Sequence, residues 1–305
     1  MSKIKVDLHM HGPIGFQPYW LREQGYAGKN LLKLITEKAF EGGITISAIT
    51  SQREEIPRLS VDDRLGILRE YEAPLLSKEY KVETLGGNNN ILVVERGNDK
   101  VYLVNGQTVM PKEGENRHDL LVVGSNEVPN GMTFRDTLLY GQDRGLIQIA
   151  EHPYVETHRG MGRELLEEHI NDFDAIEGHN SQAVFYKWIT KLPKIGAMFS
   201  RAGRELNEKA KATARKYGKP YVATSDAHRI EDLGISYIEW EGNINDSSEN
   251  SFFTQLKEQI RTGNFRTVEY YEPLLTWFKW IRTFQKGISS RKIVDEYIPS
   301  NKFQK

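Results

Sequence analysis

The sequence predicts an α/β fold: a distorted (β/α)7 barrel of TIM-barrel type with a β-meander insertion and a C-terminal helical extension. Three observations point there. Strand and helix signals alternate along most of the chain, which is the rhythm of parallel strands joined by crossover helices. About seven strands of this kind can be counted, more than a small open sheet needs. No glycine-rich dinucleotide fingerprint follows the first of them, which favours a closed barrel over a nucleotide-binding open sheet.

The elements follow in order. An apolar run over 3–8 reads as a strand buried on both faces. A helix at about 29–41 ends at Gly42-Gly43, and ITISAIT over 44–50 is the next strand. A helix near 61–76 has Ser60 as its cap and Asp62 and Asp63 in its first turn. Between 79 and 110 the alternation breaks into β-rich runs separated by Gly86-Gly87-Asn88-Asn89-Asn90 and Arg96-Gly97-Asn98-Asp99, the mark of a meander. Alternation resumes with strands at 119–124, 145–150, 173–177 and 220–225, and helices at 132–144, 162–171, 181–191, 203–217 and 250–262. This divides the chain into a barrel over 1–240, with its insertion at about 79–118, and a helical extension over 241–305.

Composition narrows the chemistry. The 305 residues include 38% hydrophobic ones, enough for a normal core. A formal net charge of −1 gives no overall field to recruit nucleic acid or an anionic membrane. The absence of cysteine excludes disulfides, thiolate metal sites and cysteine nucleophiles, so a metal would be held by histidine and carboxylate. No apolar leader and no long apolar run is visible, so no membrane insertion and a cytoplasmic location are expected.

The polar residues gather at strand ends. Val6-Asp7-Leu8-His9-Met10-His11-Gly12 ends the first strand, and strand alternation would put His9 and His11 on one face and Leu8 and Met10 on the other. Glu151-His152-Pro153 follows GLIQIA, Glu177 ends FDAIE with His179 and Asn180 beyond, and Asp226-Ala227-His228 follows PYVATS. A barrel collects its strand C-termini at one mouth, so His9, His11, His152, Glu177, Asp226 and His228 would face a common cavity. His118, just ahead of DLLVVG, reaches it if the meander folds over the rim. Any one of these motifs alone reads more simply as a capping aspartate or a surface histidine, and it is their joint placement that points to a metal.

These motifs resemble the PHP family, the polymerase and histidinol phosphatase superfamily of metal-dependent phosphoesterases. Asp7-Leu8-His9-Met10-His11 is similar to its opening D-x-H-x-H, His118 to its histidine before a central strand, His152-Pro153 to its H-P motif, and Ser225-Asp226-Ala227-His228 to its closing S-D-A-H. The resemblance implies a distorted seven-stranded barrel and divalent ions of Mn, Zn or Fe type. It implies metal ligands at His9, His11, His118, His152, Asp226 and His228, with one ion on His9, His11 and Asp226 and a second on His118 and His152. The departures lie at Ser51 and Gln52, where the family has an aspartate and a histidine, at Gln17, and at Thr108, which stands where a bridging glutamate is usual.

The expected activity is hydrolysis of a phosphoester, either a small phosphorylated molecule or a nucleic-acid end, by a water that one or two ions activate. Asp7 or Glu177 would orient a ligand histidine, Arg159 and Arg229 would grip phosphate, and His158 or His179 would serve as general acid or replacement ligand. His169 reads as structural. The competing reading is a degenerate barrel that acts as a binding or scaffold module. The segment 273–286, PLLTWFKWIRTFQK, carries an apolar helical face with basic residues beside it that would dock on the barrel or contact a partner, nucleic acid or a membrane surface. Substrate identity and oligomeric state are left open by the sequence.

Overall fold

The computed structural model describes residues 2–11, 31–50, 73–87, 90–129, 131–155, 158–184, 203–276 and 278–279. Gln17, Ser51, Gln52, Asn88 and Asn89, most of the helices expected near 61–76 and 181–191, and most of 273–286 lie outside the described residues.

The strands are β1 (Ser2–Met10), β2 (Ile46–Ile49), β3 (Lys81–Thr84), β4 (Ile91–Arg96), β5 (Asp99–Val109), β6 (Lys112–Glu113), β7 (Asn116–Arg117), β8 (Leu120–Val123), β9 (Ile147–Ala150), β10 (Ala175–Asn180), β11 (Tyr221–Thr224), β12 (Tyr237–Gly242) and β13 (Arg266–Val268). Around a nearly closed barrel the order is β1, β2, β5, β8, β9, β10, β11. The last strand returns to the first where Met10 bridges Ala227 and the His11 N–H donates to the Ala227 carbonyl at 2.9 Å. This closure brings the ends of β1 and β11 together at the mouth.

The pairs β1–β2, β2–β5, β9–β10 and β10–β11 are parallel, whereas β8 is antiparallel to both β5 and β9. Uniformly parallel strands were expected, and β8 corrects that. The reason is the short connection over 110–119, which holds only the β6–β7 hairpin. A parallel crossover needs a longer link to carry the chain back to the far end. The strand β8 therefore starts at the mouth and runs down. β5 changes partner at Gly106, from β4 to β8, where a Cβ would lie 2.6 Å from Thr50 Cγ2 and 2.8 Å from the Val122 carbonyl.

The helices are α1 (Leu31–Gly42), α2 (Ala73–Leu76), α3 (Phe134–Asp143), α4 (Gly162–Glu168), α5 (Arg204–Lys216) and α6 (Glu249–Thr262). Leu32, Ile35 and Ala39 of α1, Phe134 and Leu138 of α3, Leu165 and Leu166 of α4, and Ala210 and Ala214 of α5 cover the outside of the barrel at helical spacing. Thr133 caps α3, accepting from the Asp136 N–H at 3.1 Å.

The barrel interior holds Val6, Leu8, Ala48, Val104, Leu121, Val123, Ile147, Ile149, Ala175 and Val222, and Phe252, Leu256 and Ile260 of α6 pack into the same cluster. Lys257 Nζ donates to the Leu146 carbonyl just ahead of β9, so α6 closes the end opposite the mouth. Each of those three side chains contributes about 1.5–3 kcal/mol of burial. The stretch after 241 is therefore not helix alone. β12 pairs antiparallel with β1, and β13 pairs with β12, so they extend the sheet beside the barrel. No helix among the described residues is long and apolar enough to cross a membrane.

Candidate metal centre

β1 delivers two histidines to the mouth. Its register against β2 shifts between Asp7 and Met10, and a bulge of this kind re-aims the side chains beyond it. Leu8 stays in the interior with Ile4 and Val6, while Met10 turns outward toward α1. His9 and His11 do converge, with Nε2 atoms 3.3 Å apart. At that distance at most one of the two nitrogens can carry a proton toward the other, so the pair calls for a shared proton or a cation.

A second bulge acts on β10. Its register against β11 shifts between Glu177 and His179, around Gly178. A Cβ at Gly178 would lie 2.6 Å from Tyr221 Cδ2, so the tight passage needs glycine. Glu177 faces the mouth, where its Oε1 lies 2.8 Å from His9 Nδ1 and its Oε2 accepts the His152 N–H at 2.6 Å. His179 instead faces the C-terminal stretch, with Nε2 2.9 Å from the Tyr270 carbonyl and Nδ1 3.6 Å from Glu269. Asn180 takes the inward place, and its amide donates to Asp226 Oδ2 at 3.0 Å.

The strand β9 leads into Glu151 and His152. Glu151 is buried, and its Oε1 lies 3.3 Å from His9 Nε2, 3.2 Å from His152 Nε2 and 3.2 Å from Thr108 Oγ1. Asp119 approaches from the start of β8. Three overlapping ligand groups result: His9, His11 and Glu151; His11, Asp226 and His228; and Asp119, Glu151 and His152, each with donor atoms within 4.8 Å of one another.

The backbone is strained at the same place. His152, Arg159 and Asp226 are the non-glycine residues with positive φ among the described residues, at 22°, 56° and 47°. Such conformations cost on the order of 1–3 kcal/mol each and persist where surrounding structure holds them.

Charge follows the geometry. Burial lowers the His9 pKa, but Asp226, Glu151 and Glu177 outweigh it and hold the imidazole well above the usual histidine range. Burial raises Asp226, yet His9, His228 and His11 bring it well below the carboxylate range. Burial lowers His152, but the hydrogen bond and charge of Glu151 outweigh it and raise the imidazole above its ordinary value of 6.5, to about 9. Burial, with the Glu151 charge beside it, lifts Asp119 to about 7. Buried carboxylates thus crowd the histidines, and Glu151 Oε2 and His152 Nδ1 have no hydrogen-bond partner among the described residues. This donor set of imidazole nitrogen and carboxylate oxygen fits a divalent cation.

Several expected roles change. His118 is not among the grouped ligands; its ring lies 6.3 Å from that of Phe134 and its Nδ1 is buried with no hydrogen-bond partner among the described residues, while the adjacent Asp119 shares the inward parity of Leu121 and Val123. Among the described residues Asp7 has no imidazole nitrogen as a hydrogen-bond partner. It accepts from Ser225 Oγ, from the Ser225 N–H at 3.2 Å and from the Gly234 N–H at 3.0 Å, pinning β1 to the loop after β11. His179 is carried away from the mouth by the bulge. Arg229 is buried against Asp232 and Glu272 rather than turned to a phosphate. Arg159 sits at the rim, 3.3 Å from Asp119 Oδ1, with its side chain 44% exposed. His158 is exposed, its ring 6.4 Å from that of His152, and His169 packs on Phe134 and contacts Asp172. Glu151 and Asp119 are the residues that strand-end motifs alone did not select.

Residues 204–259, from α5 through α6, match the PHP-associated family model. Two crystal structures share the fold. One is a two-domain protein from Bacteroides vulgatus containing a predicted PHP-like metal-dependent phosphoesterase, 11% identical at a TM-score of 0.53, covering 94% of this chain and 70% of its own. The other is PsfC from Pseudomonas syringae, 13% identical at a TM-score of 0.51, covering 95% of this chain and 99% of its own. No curated protein matches the chain. The chain therefore shares its fold with these two proteins and is similar to the PHP-associated family over 204–259.

Proposed function

We propose that the chain is a metal-dependent phosphoesterase. The reading is carried by the convergence of three overlapping His and carboxylate groups on the strained end of the barrel. His9, His11 and Asp226 would hold one ion, with His228 beside them, and His152 with its neighbouring carboxylates a second. Bound divalent ions, of Mn, Zn or Fe type, supply Lewis acidity toward phosphate oxygens and acidify water. Glu177 fixes the His9 ring through Nδ1 and so directs Nε2 into the centre. Arg159 offers a guanidinium at the rim for a phosphate oxygen. The substrate is a small phosphorylated molecule or a nucleic-acid end, and the net charge of −1 favours the former over long duplexes.

Elemental analysis of chelator-free protein, beside Asp226→Ala and His9→Ala variants, tests this. Bound ions that vanish in both variants, together with hydrolysis of phosphomonoesters or short nucleic acids on adding Mn, support it. Folded protein that takes up no metal overturns it. Ser51, Gln52 and Thr108, standing where the resemblance implies ligands, favour a second reading as a binding module. That reading gains if metal binds and no phosphoester turns over.

A further inference from the structure

We propose that Glu151 is a bridging carboxylate shared by two cations in this centre, reaching from β9 the place where the resemblance implies a glutamate at position 108 of β5. The inference rests on the metal-centre reading above. Glu151 belongs to two of the three ligand groups, one with His9 and His11 and one with Asp119 and His152. Its Oε1 lies almost equally far from His9 Nε2 and His152 Nε2, at 3.3 and 3.2 Å, which are the inner nitrogens of the two groups. Its Oε2 is buried and has no hydrogen-bond partner among the described residues, which is costly for a carboxylate oxygen unless a cation meets it.

The neighbouring residue explains the substitution. Thr108 Oγ1 donates to Glu151 Oε1 at 3.2 Å, so the position at which a longer acidic side chain from β5 would end is taken by the carboxylate from β9. The threonine is short enough to make room and polar enough to orient the oxygen. On the second ion's side Asp119, at the mouth end of the antiparallel β8, supplies the carboxylate of the group. His118 has the opposite parity and is not in that group.

The test is metal titration of the full chain by calorimetry, with Mn(II) electron paramagnetic resonance to report magnetic coupling between ions. Wild type is expected to bind two ions with a coupled spectrum. Glu151→Gln is expected to lose the coupling and to weaken binding on the order of tenfold or more. Asp119→Asn should lose one ion, and His118→Ala should keep both. The Thr108→Glu/Glu151→Gln double variant is expected to regain two coupled ions, because the carboxylate returns to the same point from the other strand. This rescue also guards against misreading a poorly folded single variant. Glu151→Gln that binds two coupled ions with unchanged affinity overturns the bridge while leaving the metal centre standing. Wild type that binds none overturns the metal-centre reading itself.

Discussion

His9 Nδ1 and Glu177 Oε1 lie 2.8 Å apart, a buried contact between β1 and β10, and Thr224 Oγ1 donates to the same oxygen. The contact commits Nδ1 of the ring and leaves Nε2 facing His11, Asp226 and Glu151. Glu177→Ala should therefore weaken metal binding by about 10–100-fold, the range for loss of a group that orients a ligand histidine. Calorimetric titration checks this, and unchanged affinity would show that the imidazole needs no such partner.

The bulge at Gly178 is expected to be intolerant of even one methyl. Its Cβ would meet Tyr221 at 2.6 to 2.8 Å through three side-chain atoms. Gly178→Ala should cost about 1–3 kcal/mol in a denaturant titration, as overpacking does. It should also reduce metal affinity, because Glu177 precedes the bulge directly. A Gly178→Ala protein of unchanged stability would mean that Tyr221 swings away freely.

Arg229, Asp232 and Glu272 form a buried group with two carboxylates for one guanidinium. Burial, with the Asp232 charge, pushes Glu272 up to about 8 from 4.5 despite Arg229. The folded chain thus binds this proton more tightly than the unfolded chain. The resulting stability is fully present below the unfolded value of 4.5 and is lost as pH rises through 8. Melting temperature should fall between pH 5 and pH 9 by more in wild type than in Glu272→Gln. Parallel melting profiles would show that Glu272 is ionised throughout.

Helix α6 is expected to matter for stability and not for the site. Leu256 is buried in the interior cluster at the end opposite the mouth. Leu256→Ala should destabilise by about 2–5 kcal/mol on chemical denaturation. The variant that remains folded should bind metal with wild-type stoichiometry. Loss of metal in a folded Leu256→Ala protein would show that the two ends of the barrel are coupled.

The sequence by itself predicted a barrel of about seven strands and a gathering of His9, His11, His152, Glu177, Asp226 and His228 at the strand ends. Those features rest on local periodicity and on polar residues placed directly after apolar runs. The strand β12 was not predicted from the sequence, although Ile238 and Trp240 alternate with Glu239 and Glu241. The tertiary structure alone decided which member of each polar pair faces the mouth. The runs LLVV in β8 and ISAI in β2 are buried throughout, so polarity leaves their facing undetermined. One inserted residue reverses every side chain beyond it, and the bulges in β1 and β10 turn His9 inward and His179 out. The direction of β8 places Asp119 rather than His118 at the centre. The role of Glu151 emerged only once Thr108, Glu151 and the two imidazoles met across strands that are far apart in the chain.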